Sequence, residues 1–207
     1  MSSENQSTSS LFDSLIWKHA SQTKGDKGVA VEVAEVKGYE LKAFRAVSTF
    51  DASIAQLRAV IMDMKNFIDW ADGTKAAEVI KQISDNSQAC YCEHNAPWPV
   101  KNRDGVIVQS VERISDSTVC IHLRSDNELV PIKKGLVRVQ YLRGTWILND
   151  IGAGKTKVTY QVHSDPGGNI PDWLVNTMIT EAPTTTLANL HKVNFNRYSE
   201  EQLALPV

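Results

Sequence analysis

Cys90, Cys92 and His94 alternate along one stretch, so on an extended strand their side chains share a face, and Cys120 and His122 repeat the pattern further on. Thiolates and imidazoles are soft-metal ligands. The two stretches read as strands two apart in a sheet, however, a separation of about 9.5 Å. Cys120 also shares the polar face of its strand while Cys90 faces inward. Small buried hydrophobes are therefore the reading taken for these cysteines, and no metal or other cofactor is expected. Gly154-Lys155-Thr156 has the ending of a phosphate-binding loop, but residue 149 is Asn where that loop needs Gly, and a strand pattern follows instead of a helix. Acid–base chemistry would draw on Glu93, His94, His163 and Asp165 near strand ends. His163 has the parity of Thr159 and Gln161, which reads as an outward, solvated position. No catalytic set is assigned to them.

The elements that would position these residues are an antiparallel sheet and one long helix. The last long stretch, Ser164 to Asn194, leaves a strand at Gly167-Gly168 and offers Pro171 and Asp172 for a helix start. Val175, Met178, Ile179, Ala182, Leu190 and Val193 then fall on one side at helical spacing. The pattern predicts an amphipathic helix of about six turns, broken or kinked near Ala182 because Pro183 lacks an N–H. A helix is also predicted from Leu11 to about Ser21, and a hairpin from Val29–Val36 and Leu41–Phe50 turning at Gly38. Asp51 is the expected N-cap of a helix carrying Ile54, Leu57, Val60, Ile61 and Met64, with a short helical piece ending near Trp70. Beyond Trp70 the period is two. Strands are predicted at Ala76–Ser84, Gln88–His94, Gly105–Ile114, Thr118–Arg124, Leu136–Leu148 and Lys155–His163, eight in all with the hairpin. Their short links imply antiparallel neighbours, and the order excludes a parallel nucleotide-binding sheet.

The chain has 207 residues with 22 Lys and Arg against 24 Asp and Glu, a net charge of −2. With no basic block, phosphate neutralisation on nucleic acid is not expected. Residues 1–9 are read as a disordered start, 10–196 as one domain, and 197–207 as a tail. The start lacks the pattern of a signal peptide, and three cysteines make no disulfide framework. A cytoplasmic setting is expected, or a periplasmic or secreted one if a leader has been removed.

Ala96-Pro97-Trp98-Pro99-Val100-Lys101-Asn102-Arg103-Asp104, Gly144-Thr145-Trp146 and the run from Asp165-Pro166-Gly167-Gly168 to Trp173-Leu174-Val175-Asn176 resemble the START domain, over about residues 11–195. The resemblance implies an α+β helix-grip fold: a curved, nine-stranded antiparallel sheet wrapped around a long C-terminal helix and enclosing an apolar tunnel for one lipid. A break of Leu136–Leu148 near Gly144 would add the ninth strand. Under that fold, alternation turns Val119, Ile121 and Leu123 inward, with Val137, Val139 and Tyr141, and with Val158, Tyr160 and Val162. Ile107, Val119, Ile121, Leu123, Val139, Tyr141, Tyr160 and Met178 are thus the expected apolar lining. The acid and arginine that meet inside the tunnel of sterol-carrying members align with Cys90 and Gln109, both uncharged. Arg103 matches the arginine that approaches the lipid phosphate in phosphatidylcholine-carrying members, and a guanidinium suits a bidentate grip on phosphate or carboxylate. The alternative for Arg103 is a structural ion pair with a nearby acid other than Asp104.

The resemblance implies a lipid or other hydrophobic small molecule as partner, with transient membrane contact. Two further functions remain open: an enzyme of cyclase or hydrolase type using the same cavity, and a protein-interaction module whose cavity has collapsed. The loop Ser125–Gly135 carries Leu129, Val130, Pro131 and Ile132. It is expected to pack on the last helix and act as the gate, as the equivalent loop does in START domains.

Overall fold

The computed structural model describes residues 8–204. In chain order its elements are helix α1 (Thr8–Asp13), strands β1 (Lys18–Gln22), β2 (Ala30–Ala34) and β3 (Ala43–Phe50), and helix α2 (Ile54–Met62). Six further strands and one short one follow: β4 (Thr74–Ser84), β5 (Ser87–His94), β6 (Arg103–Ser115), β7 (Thr118–Ser125), β8 (Val137–Arg138), β9 (Tyr141–Gly152) and β10 (Lys155–Asp165). The chain then forms α3 (Asp172–Asn176), a π-helical turn (Thr177–Glu181), α4 (Ala182–Leu190) and α5 (Glu200–Leu203).

Nine strands form one antiparallel sheet in the order β1-β2-β3-β10-β9-β7-β6-β5-β4. The tenth, β8, lies off this path and pairs parallel to β6. The sheet curls around the α3–α4 rod. At one end of the grip Leu187 and Leu190 of α4 bury against Phe50 of β3, Ile121 of β7 and Leu148 of β9, with Leu57 and Ile61 of α2 filling in. Every one of these side chains is fully buried. This is the helix-grip arrangement implied by the resemblance.

Several local expectations are corrected. The first helix stops at Asp13, and Lys18–Gln22 is an edge strand on β2. Phe12 is buried against Val36 and Ala43, with Leu15 and Trp17 alongside, so the apolar spacing is satisfied without continuing the helix. The edge strand is exposed almost throughout, which removes its period-two signature. Most of the expected disordered start, residues 1–9, lies outside the described residues, and Thr8 already begins α1. Helix α2 is capped by Ser53 in a reciprocal box with Gln56, whereas Asp51 pairs with Lys155 at 2.9 Å. Pro183 does not break the last helix. The Ala182 N–H reaches the Thr177 carbonyl five residues back, a π-turn that lets the rod pass the missing donor. Residues set apart as a tail also pack: Tyr198 is buried in the main cluster, and Arg58 donates to the Gln202 and Ala204 carbonyls.

The predicted strand Leu136–Leu148 divides at Val139-Gln140, not near Gly144. The Val139 N–H still bonds the Asp104 carbonyl on β6, while the next N–H, of Gln140, bonds the Asp165 carbonyl on β10. Gly144 sits inside β9 for steric reasons. A Cβ there would lie 2.9 Å from both the Gln161 carbonyl oxygen and Val162 Cγ2.

Candidate functional site

A cavity of about 400 Å³ opens beside the filled core, between the α3–α4 rod and the inner face of β9 and β10. Its floor is aromatic. Trp146 of β9 and Tyr160 of β10 are cross-strand partners and their rings stack at 3.8 Å and 8°. Phe44 of β3 packs edge-on to Tyr160 at 5.2 Å. Met178, Leu174 and Ala182 of the rod, with Leu142 and Val139, supply the rest of the apolar wall. The volume falls within the ~300–1,000 Å³ typical of small-molecule sites.

The polar groups gather at one end. His94 closes β5 and Arg103 opens β6, and the two are paired directly opposite each other. Arg103 is only 7% exposed. Its Nη1 and Nη2 donate to the carbonyls of Lys101 and Gly167, and its Nε hydrogen has no partner. Two of five N–H donors are thus used inside the protein, and Arg103 makes no ion pair among the described residues. The alternative considered for it, an ion pair with an acid other than Asp104, is thus not formed among the described residues. Arg138 grips Asp104 with two 2.9 Å hydrogen bonds, both side chains buried. Burial would push the Asp104 carboxyl up, but the Arg138 hydrogen bonds and charge outweigh it and hold the group below its ordinary value. Alternation explains the division: Arg103 faces the cavity, and Asp104 faces the opposite side of the sheet.

Of the residues expected to line the site, Arg103, Val139, Tyr160 and Met178 do so. Val119, Ile121 and Leu123 face inward but are buried, with Ile121 and Leu123 in the packed core and Ile107 against it. Gln109 is buried too, accepting from Gln88 Nε2 at 2.8 Å and from the Cys90 thiol at 3.6 Å. Cys90 and Gln109, both uncharged, are thus in contact. Tyr141 is turned away from the cavity, stacked on Tyr39 and set against His163. The irregularity at Val139-Gln140 accounts for this. Shifting the register by one residue exchanges the two faces, so Leu142 and Trp146 point in where Tyr141 was expected. Trp146 and Leu142 were missed for that reason, and Phe44 because no facing was assigned to its strand.

The loop bearing Leu129, Val130 and Ile132 is corrected as well. Leu129 and Ile132 are exposed, and none of the three lines the cavity. The loop lies over the outer side of β5 and β6, where Lys133 Nζ sits 3.8 Å above the Tyr91 ring. Arg138 pins it by donating to the Val130 and Pro131 carbonyls.

The acid–base candidates do not converge. Glu93 pairs with Lys75 at 2.7 Å on the other side of β5 from His94. His163 is not solvated but 1% exposed, its Nε2 3.2 Å from the Leu41 carbonyl oxygen and its Nδ1 unpartnered. Burial lowers its pKa. Asp165 accepts from the Gly167 N–H. The cysteines are all buried, and desolvation pushes the thiols of Cys90 and Cys120 up to about 12.

The family model of the START domain matches residues 8–194. The chain belongs to the START family. This START domain is 38% identical over 174 residues to an uncharacterized protein of Pseudomonas aeruginosa, the match covering 84% of each chain. It is similar to the crystal structure of a STAR-related lipid transfer protein fragment from Xanthomonas axonopodis, with a TM-score of 0.77 and 34% identity over 85% of this chain and 97% of that one. The mouse phosphatidylcholine transfer protein is 29% identical over 143 residues, 67% of this chain and 64% of the relative.

Proposed function

We propose that this START domain binds one amphipathic lipid in the cavity, with an anionic head group at Arg103, and carries it between membranes. The observation that carries the reading is the buried guanidinium without an acid partner at the polar end of an apolar cavity. A buried charge is costly unless paired, and a phosphate or carboxylate supplies the missing partner with charge-assisted hydrogen bonds. The apolar part of the lipid gains about 0.8 kcal/mol per buried CH₂ against the aromatic floor. The similarity to proteins named for lipid transfer supports the same reading.

Membrane contact has a candidate surface at the rim. Trp98 is 92% exposed in the loop whose Pro97 lines the cavity, and Trp173, itself part of the lining, is 54% exposed. Indole rings favour the membrane–water interface. The test is native mass spectrometry after incubation with vesicles containing equal amounts of phosphatidylcholine and diacylglycerol of matched chains. One intact phospholipid per protein is expected, and Arg103→Leu should reverse the preference toward diacylglycerol. Equal phospholipid loading of both proteins would remove Arg103 from the site.

A further inference from the structure

We propose that His94 is the second half of an anion clasp with Arg103, so that the ligand is a lipid carrying a fixed negative charge and its affinity rises as pH falls. The inference rests on the lipid-binding reading above and adds to it a residue and a proton linkage.

The geometry is that of two adjacent strands ending together. His94 and Arg103 are directly opposed on β5 and β6, which sets their Cβ atoms about 4.5–5.5 Å apart, and both side chains line the cavity. An anion large enough to meet one therefore lies within reach of the other. On its far side His94 is opposed to Thr74 of β4, whose hydroxyl is 3.4 Å from Nδ1. That contact occupies one ring nitrogen. The other, Nε2, makes no hydrogen bond among the described residues and remains available to the cavity. On the cavity wall a free imidazole nitrogen and a guanidinium with spare donors thus lie side by side.

The charged groups around His94 fix the direction of the linkage. On its own strand, the Glu93 carboxylate alternates to the other side of the sheet, where it is held by Lys75. From β6 comes the Arg103 cation. The turn before β4 contributes Asp72, exposed at the cavity edge, and β10 contributes the Tyr160 hydroxyl, which burial keeps protonated. The rod residues that line the cavity, from Trp173 to Thr186, bring no charged side chain. Burial lowers the pKa of His94, against a smaller opposing effect of Glu93. The empty site at neutral pH therefore holds a neutral imidazole beside one cation. An anion on Arg103 favours the imidazolium, so the loaded protein binds more protons than the empty one. By reciprocity, protons tighten anion binding, an effect that grows as pH falls through the His94 pKa of the loaded protein and is complete below the lowered pKa of the empty one.

The test uses the full chain with phosphatidylglycerol, whose phosphodiester keeps one negative charge across the range, and diacylglycerol of the same chain length as the neutral control. Binding is measured at pH 5.5 and 7.5. Wild type should bind phosphatidylglycerol at least about fivefold tighter at the lower pH, the low end of usual couplings, with less than about twofold change for diacylglycerol. In His94→Gln the two lipids should show the same small pH ratio. Histidine proton resonances of wild type, assigned by comparison with that variant or by residue-specific labelling, should show the His94 pKa rising on loading with phosphatidylglycerol and not with diacylglycerol. This second measurement stands if the variant fails to fold. Inorganic phosphate at millimolar concentration should leave the His94 resonance unmoved, since the apolar part supplies most of the affinity; an equal shift with phosphate alone would assign the site to a free anion and overturn the lipid assignment. Phosphatidylglycerol binding that depends on Arg103 but is indifferent to pH, with no movement of the His94 pKa, overturns the clasp and leaves the lipid reading intact. If neither lipid binds at any pH, both readings are overturned.

Discussion

Arg138→Met tests the account of how the polar end of the cavity is held. Asp104 and Arg138 lie on the outer side of the sheet directly behind Arg103 and Val139, and their side chains are 0% and 2% exposed. Their two 2.9 Å hydrogen bonds join β8 to β6, and the same guanidinium ties down the loop carbonyls of Val130 and Pro131. Methionine keeps most of the volume and removes the charge, leaving Asp104 buried without its partner. Removing one member of a buried pair costs about 3–5 kcal/mol. At about 2–4 °C per kcal/mol for a chain of this size, Tm should fall by roughly 6–20 °C at pH 7. The pH dependence is a second readout. In wild type the depressed Asp104 pKa contributes stability above the unfolded value of about 3.9, lost as pH falls through the folded value. In the variant, burial raises the carboxyl against only the weaker hydrogen bonds from Tyr91 and the Lys133 backbone, so the penalty is present at neutral pH and shrinks as the group protonates. The gap in Tm should therefore narrow toward pH 4. The double variant Asp104→Leu/Arg138→Met should recover at least half of the loss, because a well-packed apolar pair replaces a buried ion pair at little cost. A fall of under about 2 °C for Arg138→Met, well below what 3 kcal/mol implies, would refute the reasoning.

Gly144→Ala should destabilise by about 1–3 kcal/mol, the range for overpacking, since the new methyl group meets the backbone of β10 at 2.9 Å; a calorimetric Tm equal to wild type would contradict the close approach. His191 stacks on Phe50 at 3.9 Å with its Nε2 2.8 Å from Ser48 Oγ, and burial, reinforced by the Lys27 charge, lowers its pKa to about 4. Between about 6.5 and 4 the unfolded chain binds the proton and the folded one does not, so wild type should lose stability as pH falls through that window. His191→Gln should lose less in urea titrations over the same range, and an unchanged pH slope would exclude this histidine as a source.

Much of the fold was legible because two periods carry it. Alternation from Ala76 to His163 marks the strands that make up most of the sheet, and the spacing of Val175, Met178 and Ile179 marks the rod they grip. The misses share a physical origin in features that leave no periodic trace. β1 is exposed on nearly every residue, so it has no buried face to alternate. The π-turn before Pro183 depends on a backbone carbonyl finding a donor one residue further on, which side-chain pattern does not encode. The site was harder than the fold. Tyr141 and Trp146 exchange faces because of one irregular step at Val139-Gln140, and that step is set by backbone bonds to two different strands. Ile121 and Leu123 face inward as alternation requires, yet whether an inward face meets a ligand or another side chain depends on what α2 and α4 place opposite it. Arg103 was found through its motif, but whether an acid distant in sequence pairs with it depends on the packing of the whole sheet, and among the described residues none does.

The most direct test of the central claim is vesicle-to-vesicle lipid transfer with the cavity open and with it filled. Met178 lines the cavity from the rod and is half-buried, so Met178→Trp places an indole in space that the lipid would occupy. Donor vesicles carry fluorescent phosphatidylcholine with a non-exchangeable quencher, and acceptors carry neither. Wild type should accelerate the appearance of fluorescence in acceptors, returning the lipid chemically unchanged. Met178→Trp, with Tm at or above that of wild type, should reduce the protein-dependent rate by at least about tenfold, the equivalent of 1.4 kcal/mol of lost binding. Equal rates from the two proteins would contradict the claim that this cavity is the lipid site.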